Sequence, residues 1–144
     1  MKRAIWMACL GVGLACMGLA SYRAAAEQGD KKVEGRVFEM RTYYAAPGKM
    51  KALHERFRNH TNKLFEKHGM TLIGFWSPLD ERQADAKMVY ILAYPSKAAA
   101  EKSWQAFQAD PDWKSAKAAS EKDGKLVDKV ESLFMTGTDY SAIK

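Results

Sequence analysis

Cysteine is missing from almost all of this chain: Cys9 and Cys16 are its only two, and both lie near the start. Nothing downstream can form a disulfide, a thiolate metal site or a cysteine nucleophile. Histidine is nearly as scarce, with His54, His60 and His68 alone. Their spacings do not build a tight metal cluster. "HERFR" places Arg58, not a histidine, four residues after His54, so it is not the H-E-x-x-H zinc motif. There is no glycine-rich phosphate loop, no G-x-S-x-G elbow and no pair of carboxylates spaced for glycoside chemistry. Neither a metal nor a cofactor is therefore expected.

Long apolar runs are also lacking, with one exception. "MKRAIWMACLGVGLACMGLASYRAAAEQ" opens on Lys2 and Arg3, runs apolar from Ala4 to Ala20 and closes on Ala24, Ala25 and Ala26. A basic start, an apolar stretch and an A-x-A end make a secretory signal. The competing reading, a membrane anchor, needs a span of about 20 residues, and this run is shorter and rich in glycine and alanine. Gly13-Leu14-Ala15-Cys16 has glycine and leucine in the wrong order for a lipobox. The expectation is a bacterial signal peptide over 1–26, export to the periplasm or beyond, and no stable membrane anchor after cleavage. Loss of the three cations in that segment reduces the formal charge from +6 to +3. The remaining cations are interleaved with acids, as in "KLVDKVES", which describes a solvated surface and no nucleic-acid partner.

The rest reads as one domain. Residues 27–36 are a polar, flexible lead-in, 37–137 the folded domain and 138–144 a loose tail. "VFEMRTYY" predicts a strand ended by Pro47-Gly48. "KMKALHERFRNHTNKLFEKHG" predicts one amphipathic helix, with Met50, Leu53, Phe57, His60, Leu64 and Phe65 on its apolar face and Gly69 as its stop. "MTLIGFWSP" and "KMVYILAYP" predict two strands, separated by a polar loop, "LDERQADA". Ser96 caps a second helix, Asp110-Pro111 starts a shorter one, and "KLVDKVESLFMT" predicts the last strand. The order β-α-β-β-α-β is the α+β, ferredoxin-like split arrangement: a four-stranded antiparallel sheet with helices on one face.

Parity along the strands adds a partner. Met88, Tyr90, Leu92 and Tyr94 oppose Val89, Ile91 and Ala93, so both faces of that strand are apolar, and "TLIGFW" behaves likewise. A bare apolar sheet face exceeds what most soluble monomers expose. The simplest cover is a second copy, sheet against sheet, giving a homodimer. In the first strand Phe38, Met40 and Tyr44 are expected under the helices. Glu39, Arg41 and Tyr43 are expected toward the dimer side, as a structural ion pair or as ligands for a carboxylate or phenolate.

E-x-R-T-Y at Glu39–Tyr43, P-G-K at Pro47–Lys49, K-H-G at Lys67–Gly69, G-F-W at Gly74–Trp76, Y-x-S at Tyr94–Ser96 and D-P-x-W at Asp110–Trp113 occur in that order. This set resembles the NIPSNAP domain, from about Val37 to Met135. The resemblance implies the dimeric α/β-barrel superfamily and brings no catalytic motif. By fold analogy, that superfamily is similar to cofactor-free monooxygenases and haem-degrading enzymes.

Two kinds of function follow. One is a homodimer that binds a small apolar ligand in a cavity between helices and sheet, with Arg41, Tyr43, Tyr44, Trp76, Tyr90 and Trp104 as binding residues. The other is a monooxygenase-like enzyme acting on an aromatic substrate, or a haem-binding protein, with His60 facing the sheet as catalytic base or ligand.

Overall fold

The structure, a computed structural model, describes residues 35–144. The expected signal at 1–26 and nearly all of the lead-in at 27–36 lie outside the described residues. Strand β1 (Val37–Ala45) is the β-branched and aromatic run read from the sequence. Three helical pieces follow: α1 (Met50–Arg56), a π-helical turn (Phe57–Thr61) and α2 (Asn62–Lys67). Then come β2 (Thr71–Trp76), the one-turn α3 (Glu81–Ala84), β3 (Lys87–Tyr94), α4 (Lys97–Ala109), α5 (Pro111–Ser120) and β4 (Val127–Thr136). The sheet is antiparallel in the order β2-β3-β1-β4, which is the ferredoxin-like topology expected.

The stops and starts have local causes. Gly69, at φ 76, lets the chain turn left-handed after His68. The Met70 N–H then reaches the Phe65 carbonyl at 3.0 Å and the Gly69 N–H reaches that of Glu66 at 3.0 Å, a Schellman closure. Ser96 accepts from the Ala99 N–H at 3.1 Å and Asp110 from the Asp112 N–H at 2.8 Å, so both expected caps form. The "LDERQADA" segment, expected as loop, carries α3 because Asp80 accepts from the Gln83 N–H at 3.0 Å.

The π turn corrects the expected helix. Asn62 N–H bonds to the Phe57 carbonyl, five residues back, and the Thr61 hydroxyl donates to the Arg56 carbonyl at 3.3 Å. One extra residue in the turn shifts the helical phase. Thr61 therefore faces the core at 2 % exposure, and His60, expected there, is exposed. The other expected inward residues, Met50, Leu53, Phe57, Leu64 and Phe65, are all buried.

β1 also sits the other way round from expectation. Register pairs Glu39 with Leu92, Arg41 with Tyr90 and Tyr43 with Met88, and these residues face the helices. Tyr43 packs edge-on to Phe57 at 5.8 Å, and Trp104 of α4 bonds to Glu39. Phe38, Met40, Thr42 and Tyr44 lie on the opposite face. With them are Val89, Ile91 and Ala93 from β3, Leu133 and Met135 from β4, and Trp76 from the end of β2. Among the described residues no helix covers this face. Leu133 is 53 % exposed and Trp76 50 %.

Trp76 depends on Gly74, two residues before it on the same face. A Cβ at Gly74 would lie 2.7 Å from the indole, inside van der Waals contact. Gly74→Ala is expected to push the ring outward, and the Trp76 contribution to fluorescence emission should shift to longer wavelength. An unchanged spectrum would contradict that placement.

Candidate functional site

Glu39 is the most heavily bonded side chain of the helix-side face. One carboxylate oxygen accepts from Arg41 Nη1 at 2.5 Å and Ser132 Oγ at 2.6 Å; the other accepts from Tyr94 Oη at 2.9 Å and Trp104 Nε1 at 2.7 Å. The residue is 1 % exposed. Burial alone would raise its pKa, but the bonds from Ser132 and Trp104 and the charge of Arg41 outweigh it and hold the carboxyl below its ordinary value. The Arg41 guanidinium lies 4.2 Å from the Trp104 ring centroid, a cation–π contact that joins sheet to helix. Of the two expectations for the Glu-Arg pair, this geometry is the structural one.

Tyr90 is fully buried beside this group, and burial holds its phenol well above the ordinary value, so it stays protonated. Its hydroxyl and Arg41 Nε have no hydrogen-bond partner among the described residues. Arg41, Tyr43, Tyr90 and Trp104 are thus brought together. Tyr44 is not: it lies on the bare face, donating to Glu131 at 2.9 Å, with Lys129 over its ring. His60 joins neither group.

Two cavities border the helix-side face. One, of about 370 Å³, runs between α5 and β4 past Tyr43, Arg56 and Trp113. Two of its four cations are matched from within, Arg56 by Glu121 at 2.8 Å and Lys125 by Asp128 at 2.9 Å. The other, of about 260 Å³, lies where α1 and the π turn meet the end of β2 and the start of β3. Phe57, Phe75 and Met88 form its apolar walls, and Trp76 borders it at the end of β2 while its indole lies over Gly74 on the opposite sheet face. Phe75 is fixed there by stacking on Tyr90, 5.4 Å between centroids, and by an edge contact with Phe57 at 5.8 Å.

The polar lining of this second cavity is His54, Arg58, Asn62 and Ser77, without one acid. Asn62 Oδ1 is buried and has no hydrogen-bond partner among the described residues. A buried acceptor left unpaired costs about 1–3 kcal/mol. His54 is pushed below its ordinary pKa by burial and by neighbouring Arg58, so its ring is neutral at pH 7. Trp76 was expected as a binding residue and lines this cavity; Asn62, Arg58, His54 and Ser77 were not. The available signal was the four-residue spacing of His54, Arg58 and Asn62 along one helix, which places them on one side of it.

A family model described as NIPSNAP matches residues 38–142. The chain belongs to the NIPSNAP family. A crystal structure of a NIPSNAP family protein from Agrobacterium tumefaciens is similar at 17 % identity and TM-score 0.66, covering 76 % of this chain and 100 % of that one. An uncharacterized NIPSNAP domain protein from Burkholderia xenovorans is similar at 19 % identity and TM-score 0.61, over 73 % and 97 %. A putative antibiotic biosynthesis monooxygenase from Bacteroides thetaiotaomicron follows at 12 % identity and TM-score 0.51, over 77 % and 96 %. At these identities the likeness is one of fold. No curated protein matches the chain. The NIPSNAP motifs fall on working parts of this fold: E-x-R-T-Y on the buried carboxylate group, K-H-G on the Schellman turn, G-F-W on the cavity wall and D-P-x-W on the start of α5.

Proposed function

We propose that this NIPSNAP domain is an exported homodimer that binds a small, flat, largely apolar ligand in the cavity between the π turn and strands β2 and β3. The observation that carries the reading is the meeting of apolar Phe57, Phe75 and Met88 with the polar side chains of His54, Arg58 and Ser77 in one cavity. Apolar walls with a few convergent polar groups are the usual make-up of a small-molecule site. A π turn beside it fits the frequent placement of such turns at functional sites. The oxygenase and haem readings needed His60 facing the sheet, and the π turn puts it on the surface.

The second copy is supported by the open sheet face, where Met40, Val89, Ile91, Leu133 and Trp76 meet no helix among the described residues. At roughly 25 cal/mol per Å², covering several hundred Å² of it is worth kcal-scale stabilisation before the costs of association.

Indole is a suitable neutral probe. Titrated into the 15N-labelled protein, it is expected to shift the amide signals of Phe75, Trp76, Ser77 and Met88 together, with β4 unmoved. Shifts confined to the Arg56–Trp113 cavity, or none, would contradict the site.

A further inference from the structure

With that cavity as the ligand site and a second copy on the open sheet face, both readings meet at one short piece of chain. Side chains alternate along a strand, so neighbours point to opposite sides of the sheet. Phe75 pairs with Tyr90 on the helix side, and Trp76 pairs with Val89 on the open side. Phe75, Ser77 and Met88 line the cavity, while the Trp76 indole lies over Gly74 on the other face. At the end of β2 and the start of β3, the ligand site and the open face are thus two sides of a single layer of backbone.

This piece is held unevenly. β2 is an edge strand, bonded to β3 alone, and its register breaks between Leu72 and Gly74. Trp76 is its last residue. On the helix side Phe75 is held by stacking on Tyr90. On the open side Trp76 is half exposed, and no helix covers it among the described residues. A strand end secured along one edge and on one face keeps conformational freedom that ligand binding must remove. A body that covers Trp76 and Val89 removes part of that freedom in advance, so the ligand loses less on binding.

We infer that the cavity is regulated by the open face through Gly74–Ser77: the second copy, by covering Trp76, sets the end of β2 and raises the affinity of the cavity for its ligand. The coupling is reciprocal, because a ligand that binds the dimer better tightens the dimer by the same factor. The G-F-W motif then works as one unit. Gly74 leaves the space in which the indole lies, Phe75 faces the ligand and Trp76 faces the second copy.

Leu133→Asp provides the test. Leu133 is half exposed on β4, at the opposite edge of the sheet from β2, so the change acts on the open face without touching the cavity. Indole is titrated by amide NMR into the wild-type protein and into Leu133→Asp, with the state of each read by sedimentation equilibrium. The Leu133→Asp monomer is expected to bind indole about fivefold or more weakly than the wild-type dimer at Phe75, Ser77 and Met88. Saturating indole is expected to lower the dissociation constant of the wild-type dimer by the same factor. Equal affinities in monomer and dimer would overturn the coupling and leave the cavity and the dimer standing. A wild-type protein that binds indole as a single chain would overturn the second copy and this inference, leaving the cavity. No binding of indole by the folded wild-type protein would overturn the cavity and this inference together. Where Leu133→Asp stays dimeric, Ile91→Asp supplies the monomer; if both stay dimeric, the interface lies elsewhere and the inference falls.

Discussion

Glu39→Ala is expected to lose about 3–5 kcal/mol of stability, the usual effect of removing one partner from a buried ion pair. The change strands more than a charge. Arg41 loses its carboxylate while remaining under Trp104, and the Tyr94 hydroxyl, the Trp104 indole N–H and the Ser132 hydroxyl each lose an acceptor. Three of these donors come from separate elements, β3, α4 and β4, so one carboxylate ties the helix layer to three strands. Urea unfolding reads the loss directly. Glu39→Gln should be milder, because an amide oxygen still accepts from Tyr94 and Trp104.

The same group sets an acid limit. Glu39 has a folded pKa below its ordinary value of 4.5, so its contribution is complete above about pH 4.5 and fades as pH falls through the folded value. Stability should drop on acidification below pH 4.5, and the part of that drop due to Glu39 should be absent in Glu39→Gln. Equal acid profiles for the two proteins would contradict the assignment.

Ile91→Asp is the second large effect. Ile91 pairs with Met40 on β1 and lies opposite Gly74 on β2, in the middle of the open face. A carboxylate placed there twice, once from each copy, would be desolvated against apolar surface and against its own symmetry mate. The proposed dimer is expected to weaken at least a hundredfold in affinity, while the monomer fold, with its helix-side core untouched, keeps its far-UV circular dichroism. A dimer of unchanged affinity would place the interface elsewhere.

Much of this was legible in the residues. Ser96 and Asp110 announced their helices because a short acceptor side chain before a helical run has one main use. Strand order followed from counting elements, since β-α-β-β-α-β has few ways to close. Which face of β1 lies under the helices was not legible. Phe38, Met40 and Tyr44 read as the core side because a charged pair ordinarily seeks water. What reverses the choice is the set of donors contributed by Tyr94, Trp104 and Ser132, and those residues lie 55 to 93 positions away from Glu39. His60 was placed by a regular helical period, and an inserted residue in the π turn breaks that period without a mark in composition. The cavity lining was half legible: Trp76 stood out as an aromatic in the G-F-W motif, whereas Arg58 and Asn62 looked like any polar helix residues until β2 was placed against them.

The central claim about assembly is that a second copy of the chain covers the bare side of the sheet. Sedimentation equilibrium of the protein at micromolar concentration tests it most directly. The account predicts a single species of twice the chain mass, converted to one chain mass by Ile91→Asp. A wild-type protein sedimenting as one chain throughout that range would contradict it.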